Sequence, residues 1–575
     1  MAHDPVTAPR AVKCILQTGR KFPALVVALT FALSLGELAA QNPALAFDHA
    51  SGFYDSAFRL TISTPLQGAT IYFTTNGSIP SPDTGHRHDD SIPISTTTIV
   101  RAAVFVHGRA YYETARTFLF IPAILKQTGA QFPSAWGTNE GRLVPAHYEM
   151  SPTVTDDASR TLAESLRAVP SLSVITDPEN LFSLETGIYV HPMERGIEWE
   201  RPVNVEMFDL QGGSVFQINC GLRIHGGMSR RPEESPKHSF RLGFKRRYGP
   251  AKLRVPLFGP DGAQEFDDLV LRAGSNDSWL DSNGAHRRQA AYIRDEWMRR
   301  SMHDMGYPSV RGFFVHLYLN GLYWGLYNLC ERPGPSLLER NGAAATDYDF
   351  RKADEIESGD SVAWDEMMAL ANAGVADEQS YQSIRQYLDL AELVDYLILN
   401  FYAGNSDWDR SANWCAIRPR IPGGRFQFLV WDAERILKEP EINTVDFDDD
   451  ESPMRLFHKL SENAAFRRFF AERARQLLLG NGPLSPELAA ARFRTLADSV
   501  AKALPAEAAR WGGYRKEVHQ YKTGPFERYT LKQHWQPEMN RILTGYFPQR
   551  REILLDQFRE RGLFPPTVTP KPPGN

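Results

Sequence analysis

The sequence predicts an α+β protein in which a small all-β sandwich precedes a large domain that is strand-rich in its first half and helical in its second. Two observations lead to this prediction. Residues 44–121 read as short strands between turn signals and show no helical periodicity. After a mixed segment, strand patterns dominate residues 169–330, and apolar residues recur at helical spacing beyond about residue 360.

The composition is that of an ordinary globular protein and excludes two other classes. Hydrophobic residues make up 42% of the 575 residues, charged residues make up 23%, and the net charge is −5. The sequence has no basic stripe and no zinc-finger spacing, so a nucleic acid is not an expected partner. A disulfide-built scaffold is also excluded, because the cysteines beyond the N-terminal region allow at most one disulfide: Cys220, Cys330 and Cys415.

The first 40 residues have the layout of a secretory signal peptide. A basic region precedes a largely apolar run from Phe22 to Gly36, and small residues then precede Gln41. The apolar run is short for a membrane span. We therefore expect an exported protein that is secreted, periplasmic or held at the cell surface, with no stable membrane span after cleavage. An uncleaved N-terminal anchor is the alternative, because the basic region is long.

The predicted sandwich lies between residues 44 and 121. Residues 58–62 alternate polar and apolar side chains, residues 71–75 are β-branched and aromatic, and Asn76-Gly77 is a turn dipeptide. No candidate phosphate ligand occurs in this region. We expect it to fold on its own as a sandwich.

Three runs in this region carry a resemblance to a known module. GFY at residues 52–54, IYFTTNGSIPSP at 71–82 and TTTIVRAAVF at 96–105 resemble the chitobiase/β-hexosaminidase C-terminal-type module. That family usually has Asp where this chain has Asn76. The resemblance implies a module without catalytic residues that contacts a surface or a glycan, or that serves as a plain spacer.

Composition also sets the remaining boundaries. Residues 122–168 read as a mixed linker, and the large domain is expected to span residues 169–565. Residues 566–575 form a Pro-rich tail.

A predicted helix leads into the most suggestive loop of the chain. Asp389 is a candidate N-cap with Glu392 three residues later, an apolar stripe follows, and the helix is expected to end near Gly404. The loop after this helix is held by a rigid element, which is where catalytic groups tend to lie.

This loop and the next strand supply acids and a carboxamide. Asp407, Asp409 and Asn413 lie in the run FYAGNSDWDRSANW, and Asp432 follows a predicted strand. Phosphoryl transfer by protein kinases uses such a set: one Asp orients the attacking hydroxyl, while an Asn and a second Asp hold the metal ions. Asp and Asn also favour turns and caps, which is the purely structural alternative.

Two basic residues share one face of a strand in the first half of the domain. In the run GLRIHGGMSRRPEESPKHSFRLGFKRRYG, Lys237 and Arg241 lie on one face, while Phe240, Leu242 and Phe244 lie on the other. Basic groups beyond a Gly-Gly turn suit anionic phosphates. An exposed amphipathic strand would have the same pattern, and no Walker signature is present.

Seven ordered runs together resemble the CotH kinase family, the spore-coat-protein-H-like proteins, over about residues 169–565. The runs are RIHGGMSRR…SPKHSFRLGFKRRYG, LRAGSNDSW, IRDEW, LYLNGLYWGLYNLCER, NSDWDRSANW, FLVWDAE and EAARWG. The resemblance implies an atypical protein-kinase-like fold that binds ATP with Mg²⁺ or Mn²⁺ and phosphorylates protein hydroxyls.

The resemblance also implies roles for individual residues. Asp407 matches the catalytic acid, with Asp409 as the alternative because the loop is one residue longer than in ordinary kinases. Asn413 and Asp432 match the metal-holding pair. Glu434 stands where many relatives have a second Asp and is the third candidate metal ligand. Lys237 matches the phosphate-contacting lysine, and Arg241 on the same strand face and Glu331 at the end of the predicted hairpin are further candidate nucleotide contacts.

These observations favour a kinase that acts on Ser or Thr of an extracytoplasmic or surface protein. The alternative is a catalytically weak, kinase-like surface adhesin or glycan-binding protein. A glycosidase that uses Asp407 and Asp432 as paired carboxylates is disfavoured, because it leaves Lys237 and Asn413 without a role.

Overall fold

The structure, a computed structural model, describes residues 44–566 apart from 140, 152–157, 261, 341–346, 409–411 and 449–451. The predicted signal peptide lies outside the described residues. Within the described part of the chain, no helix is both long and apolar enough to cross a bilayer. All described residues belong to one compact unit that begins at Ala44.

The first part of this unit is an all-β module. Its strands are β1 (Ala46–Phe47), β2 (Gly52–Phe53), β3 (Phe58–Leu60), β4 (Ile62–Ser63), β5 (Ala69–Thr74), β6 (His86–Arg87), β7 (Ile92–Ile94), β8 (Thr98–Val106) and β9 (Arg109–Leu119). A sheet in the order β2-β9-β8-β5-β6 accompanies the pairs β1-β4 and β3-β7. Leu60 and Ile94 of the short pairs share an apolar cluster with Val100, Val104 and Phe118 of the sheet. The predicted β-rich module is confirmed.

Residues 122–168, predicted as a linker, pack against the large domain. This segment begins within α1 (Ile121–Ile124). It contains β10 (Ala135–Asn139), β11 (Arg142–Pro145) and α2 (Ala158–Leu166). Trp136 and Tyr148 belong to the apolar cluster of the large domain, and Trp136 Nε1 donates to the Tyr148 hydroxyl at 2.9 Å. The sequence of the segment did not reveal this packing, because its aromatic residues are isolated and follow no period.

The strand-rich half of the large domain is a closed barrel. Its strands are β12 (Ser171–Ile175), β13 (Arg201–Phe208), β14 (Ser214–His225), β15 (Ser239–Gly243), β16 (Asp268–Arg272), β17 (Gly312–Leu319) and β18 (Leu322–Glu331), arranged in the order β12-β13-β14-β15-β16-β18-β17. The closing pair, β12 and β17, is parallel. Three helices lie between strands: α3 (Pro178–Phe182), α4 (Gly284–Arg288) and α5 (Arg294–Asp304).

Two local predictions for this barrel are confirmed. Phe240 and Leu242 of β15 are fully buried, whereas Arg241 between them reaches Asp268 on β16 at 2.6 Å. The β17–β18 hairpin turns at Asn320 and Gly321, both with left-handed φ angles of 46° and 82°. Asn-Gly suits such a turn because both residues tolerate positive φ.

The second half of the large domain is mainly helical. It contains a sheet in the order β20-β19-β21-β22, built from β19 (Tyr348–Lys352), β20 (Glu355–Ser358), β21 (Trp414–Pro419) and β22 (Gln427–Val430). The helices around it are α6 (Ser336–Arg340), α7 (Val362–Ala373), α8 (Glu378–Ile384), α9 (Leu390–Ala403), α10 (Pro453–Leu460), α11 (Ala464–Leu478), α12 (Pro486–Ala501), α13 (Leu504–Trp511), α14 (Tyr514–Glu517), α15 (Gln536–Arg541) and α16 (Phe547–Glu560).

Helix α9 forms as its sequence predicts. The Asp389 side chain accepts a hydrogen bond from Glu392 N at 3.2 Å, which caps the N-terminus. Gly404 ends the helix with a left-handed φ of 61°, a conformation that Gly adopts without strain. The loop that carries Asp407 therefore begins at a defined point.

The β module packs directly on the barrel. Thr117 Oγ1 lies 2.7 Å from Ser173 Oγ, and Ser51 Oγ donates to Glu206 Oε2 at 2.6 Å. Leu119 at the end of β9 shares an apolar cluster with Tyr318 of β17. The module and the barrel thus share buried surface, and independent folding of the module stays a prediction.

We expect removal of the module to destabilise the remainder of the chain. Residues 122–575 without the module would expose Phe208 and Tyr318, which are 1% and 0% exposed, and would leave Glu206 without Ser51. The unfolding midpoint should fall by about 5 °C or more relative to residues 44–575. Differential scanning calorimetry measures this change, and Tyr111→Ala, at a 65% exposed position of the module, is the control that should leave the midpoint unchanged.

Candidate active site

Three chain segments converge at the candidate site. Arg272 ends β16, Asp407 lies in the loop after α9, and Asp432 follows β22. An ion pair joins Arg272 to Asp432, and another joins Asp407 to Arg435. The fold therefore brings together the two acids that the sequence analysis placed on separate elements.

The loop after α9 is shaped by Asn413. This residue has a left-handed φ of 67°, and its Nδ2 donates to the Asp407 carbonyl oxygen. Since the amide nitrogen is used in this way, Oδ1 is the atom that Asn413 can offer to a cation.

Asp407 is half-buried and is influenced by charges from both sides. Its Oδ2 lies 3.5 Å from Arg435 Nε. Burial raises the pKa of Asp407, the Arg435 guanidinium opposes that rise, and the Asp432 carboxylate adds to it. A carboxylate whose pKa lies above its ordinary value is better suited to accept a proton from a hydroxyl.

Asp432 is about as accessible as Asp407 and is the more acidic of the two acids. It has a left-handed φ of 57° and a side chain that is 36% exposed, and its Oδ1 lies 2.6 Å from Arg272 Nη1. Burial alone would raise its pKa, but attraction to Arg272 and Lys352 outweighs burial and lowers the pKa. Asp432 is therefore ionised at neutral pH, as a ligand for a hard cation must be.

Glu434 lies deeper and is bound by the protein itself. Its side chain is 9% exposed; Oε1 lies 2.7 Å from Arg272 Nη2, and Oε2 accepts from Asn276 N at 3.1 Å. Burial raises the pKa of Glu434 to about 8, because Arg272 offsets only part of the effect and the Asp432 charge adds to it. Both carboxylate oxygens of this predicted metal-holding residue thus have protein partners.

Lys237, the predicted phosphate contact, lies in a buried ion pair. Its Nζ lies 2.7 Å from Glu507 Oε1 and donates to Leu326 O at 2.6 Å, and both charged side chains are 0% exposed. The Tyr327 ring centroid is 4.7 Å from the ammonium. Burial lowers the pKa of Lys237, and Glu507 opposes that effect. The basic group that reaches the Asp432 carboxylate is Arg272 instead, and a phosphate contact of Lys237 stays a prediction.

The remaining predicted site residues are placed as follows. Arg241 pairs with Asp268 on the neighbouring strand. Glu331 is 4% exposed, and its Oε2 accepts from Arg311 N at 2.8 Å. Asp409 lies outside the described residues. Nucleotide contacts of Arg241 and Glu331 stay predictions.

Arg272 and Asp295, which the sequence prediction does not include, complete the site, and Glu507 is the unpredicted partner of Lys237. Arg272 lies in the run LRAGSNDSW, Asp295 in IRDEW and Glu507 in EAARWG, all of which belong to the runs that carried the family resemblance. The charged residue in each of these runs is the sequence feature that could have indicated a role at the site. Their burial next to opposite charges could not be read from spacing, because their partners lie far away in sequence.

The oxygen atoms at this site suit Mg²⁺ or Mn²⁺. Asp432 supplies a carboxylate and Asn413 a carboxamide oxygen, which are ligand types that these hard cations prefer. In the described part of the chain, no group of three or more His, Cys, Asp or Glu side chains could hold a metal ion by itself. A cation here would need phosphate oxygens and water to complete its shell, which is how Mg²⁺ usually binds beside nucleotides.

Two family models match the chain. The model described as CotH kinase protein matches residues 222–554, more than half of the chain, and the model described as chitobiase/beta-hexosaminidase C-terminal domain matches residues 49–115. No curated protein matches. The barrel and the helical half together are thus a kinase-like domain preceded by a β module. The chain belongs to the CotH kinase protein family.

Proposed function

We propose that the protein is an atypical protein kinase that uses ATP with Mg²⁺ or Mn²⁺ to phosphorylate Ser or Thr hydroxyls of an extracytoplasmic or surface protein. The observation that carries this proposal is the meeting of Asp407, Asn413 and Asp432 at one place in a CotH-family domain. Phosphoryl transfer requires positioning and charge stabilisation, for which these residue types are suited.

Each of the three residues has a distinct task in this proposal. Asp432 and the Asn413 oxygen hold a divalent cation, which neutralises the charge of the nucleotide phosphates when it is bound. Asp407 accepts a hydrogen bond from the substrate hydroxyl, orients it, and takes up its proton as transfer proceeds. The raised pKa of Asp407 supports this assignment.

Export and surface contact belong to the same proposal. The signal-peptide layout of residues 1–40 supports action outside the cytoplasm. The β module, which matches a carbohydrate-related family model, is proposed to bring the kinase domain to a surface glycan.

One observation favours the alternative of a kinase-like binding protein with little turnover. Arg272 Nη1 lies 2.6 Å from Asp432 Oδ1, so that oxygen already has a cationic protein partner. If this pair never opens, the domain would bind partners without transferring phosphate.

A titration of thermal stability with MgATP and MnATP tests the proposal. A ligand that binds only the folded protein stabilises it by about 2.7 kcal/mol at a hundredfold excess over its Kd. We expect such a shift with metal and ATP together and a much smaller one with ATP and EDTA. No shift with any nucleotide would favour the binding protein.

A further inference from the structure

The guanidinium of Arg272 pairs with three acidic side chains at the candidate site. Arg272 is 7% exposed, and its nitrogens lie 2.6 Å from Asp432 Oδ1, 2.7 Å from Glu434 Oε1 and 3.4 Å from Asp295 Oδ2. The Trp431 ring centroid is 4.6 Å from the guanidinium carbon. A planar fork with several donors can satisfy this geometry, whereas a lysine ammonium is a single point charge.

The partners of Arg272 are themselves held in place. Asp295 Oδ1 accepts from Ala433 N at 3.0 Å, and Arg299 Nε lies 2.9 Å from Asp295 Oδ2. Glu434 Oε2 accepts from Asn276 N. The short segment from Asp432 to Glu434 is therefore fixed through its backbone by Asp295 and through its side chains by Arg272.

The three acids differ in the exposed fraction of their side chains, which indicates different roles. Asp432 is 36% exposed, whereas Glu434 and Asp295 are 9% and 8% exposed and turn their oxygens to protein donors. Of these three acids, only Asp432 both contacts Arg272 and has a side chain that reaches solvent. Each oxygen of Glu434 already has a protein donor in this arrangement.

We propose that Arg272, supported by Glu434 and Asp295, is a positioning residue that orients the Asp432 carboxylate for a divalent cation, and that Glu434 is not itself a ligand of that cation. This inference rests on the proposed function. Residues that orient metal ligands typically change metal affinity or activity by 10–100-fold when they are replaced.

Isothermal titration calorimetry with MnATP tests the inference by a readout independent of turnover. Arg272→Lys should weaken binding by about tenfold or more, because a single ammonium cannot hold three carboxylates. Glu434→Ala should have a similar effect. Glu434→Gln should recover most of the binding that Glu434→Ala loses, because its amide oxygen can still accept from Arg272, although its NH2 group cannot accept from Asn276 N.

The control is Arg515→Lys, another buried arginine, whose guanidinium bonds the carbonyl oxygens of Leu280 and Glu233. It should leave MnATP affinity within twofold of wild type, even if stability falls. If Arg272→Lys fails to fold, Asp295→Asn replaces it, since Asn keeps an acceptor for Ala433 N but loses the charge that holds Arg272.

The outcomes are distinct. Unchanged binding in Arg272→Lys, or a loss in Glu434→Gln as large as that in Asp432→Asn, would overturn this inference while the proposed function stands. A wild-type chain that binds no metal-nucleotide complex would overturn both.

Discussion

Replacing Asp432 by Asn should abolish metal-supported ATP binding. The substitution removes a full negative charge from a carboxylate that is 36% exposed and whose pKa lies below its ordinary value. It also leaves Arg272 paired with Glu434 and Asp295 alone. We expect MnATP affinity to fall beyond detection by calorimetry and phosphoryl transfer to be lost with it.

Asp407→Asn is the matched comparison and should separate binding from chemistry. Asp407 is assigned to the hydroxyl rather than to the cation, so ATP affinity should stay within a few-fold of wild type. Phosphoryl transfer should drop by roughly two or more orders of magnitude. Transfer from radiolabelled ATP to a generic protein acceptor measures this loss.

Asp409→Asn decides which loop acid is catalytic. If Asp409→Asn shows the profile expected of Asp407→Asn, the longer loop has moved the catalytic acid by two positions. If all three variants bind and transfer like wild type, the kinase assignment is falsified and the binding protein takes its place.

Replacing Glu507 by Ala should strongly destabilise the domain. Lys237 would be left as an unpaired charge in a site where both partners are 0% exposed. Breaking a buried pair in this way costs about 3–5 kcal/mol of unfolding free energy. Leu326 N would also lose the Glu507 oxygen that it contacts at 2.7 Å. Urea denaturation followed by tryptophan fluorescence measures the change.

The pH dependence of Glu507→Ala provides a second check. Burial already lowers the pKa of Lys237, and loss of Glu507 removes the attraction that opposes burial. The unfolded chain then binds more protons than the folded chain from the lowered pKa up to about 10.5, so stability should rise with pH in that window. A flat pH profile would contradict an unpaired Lys237.

Two control variants test whether the loss of stability comes from the unpaired charge of Lys237. Lys237→Met combined with Glu507→Leu removes both charges and should recover part of the stability, but not all, because the Leu326 backbone groups lose their partners. Glu265→Ala breaks surface pairs with Lys252 and Arg254 and should leave the denaturation midpoint nearly unchanged.

The general fold could be predicted because its signals are local. Asp389 and Gly404 mark the ends of α9 by side-chain capping and by left-handed backbone, and Asn320-Gly321 fixes a hairpin turn without help from distant residues. The packing of Trp136 into the large domain could not be predicted. It depends on a partner surface assembled from strands far away in sequence, and isolated aromatic residues do not indicate such a surface.

The candidate site shows the same division. Asp407, Asn413 and Asp432 were selected because their residue types follow a helix and a strand in a recognisable order. Strand alternation predicts that Lys237 shares a face with Arg241, but β15 begins at Ser239 and the Lys237 ammonium is buried against Glu507. Glu507 comes from a helix 270 residues later in the chain, so this pairing could not be predicted from local sequence. Arg272 was missed for the corresponding reason.

The acidic side chains around Arg272 have a consequence for how the sequences of relatives vary. They come from α5 and from the segment after β22, and loss of the guanidinium would leave these acids without their shared cationic partner. Substitutions at these positions should therefore not drift independently among relatives. We expect co-variation, in which lineages that replace Arg272 by a neutral residue have also neutralised Asp295 or Glu434, whereas Asp432 stays the same wherever phosphoryl transfer is retained.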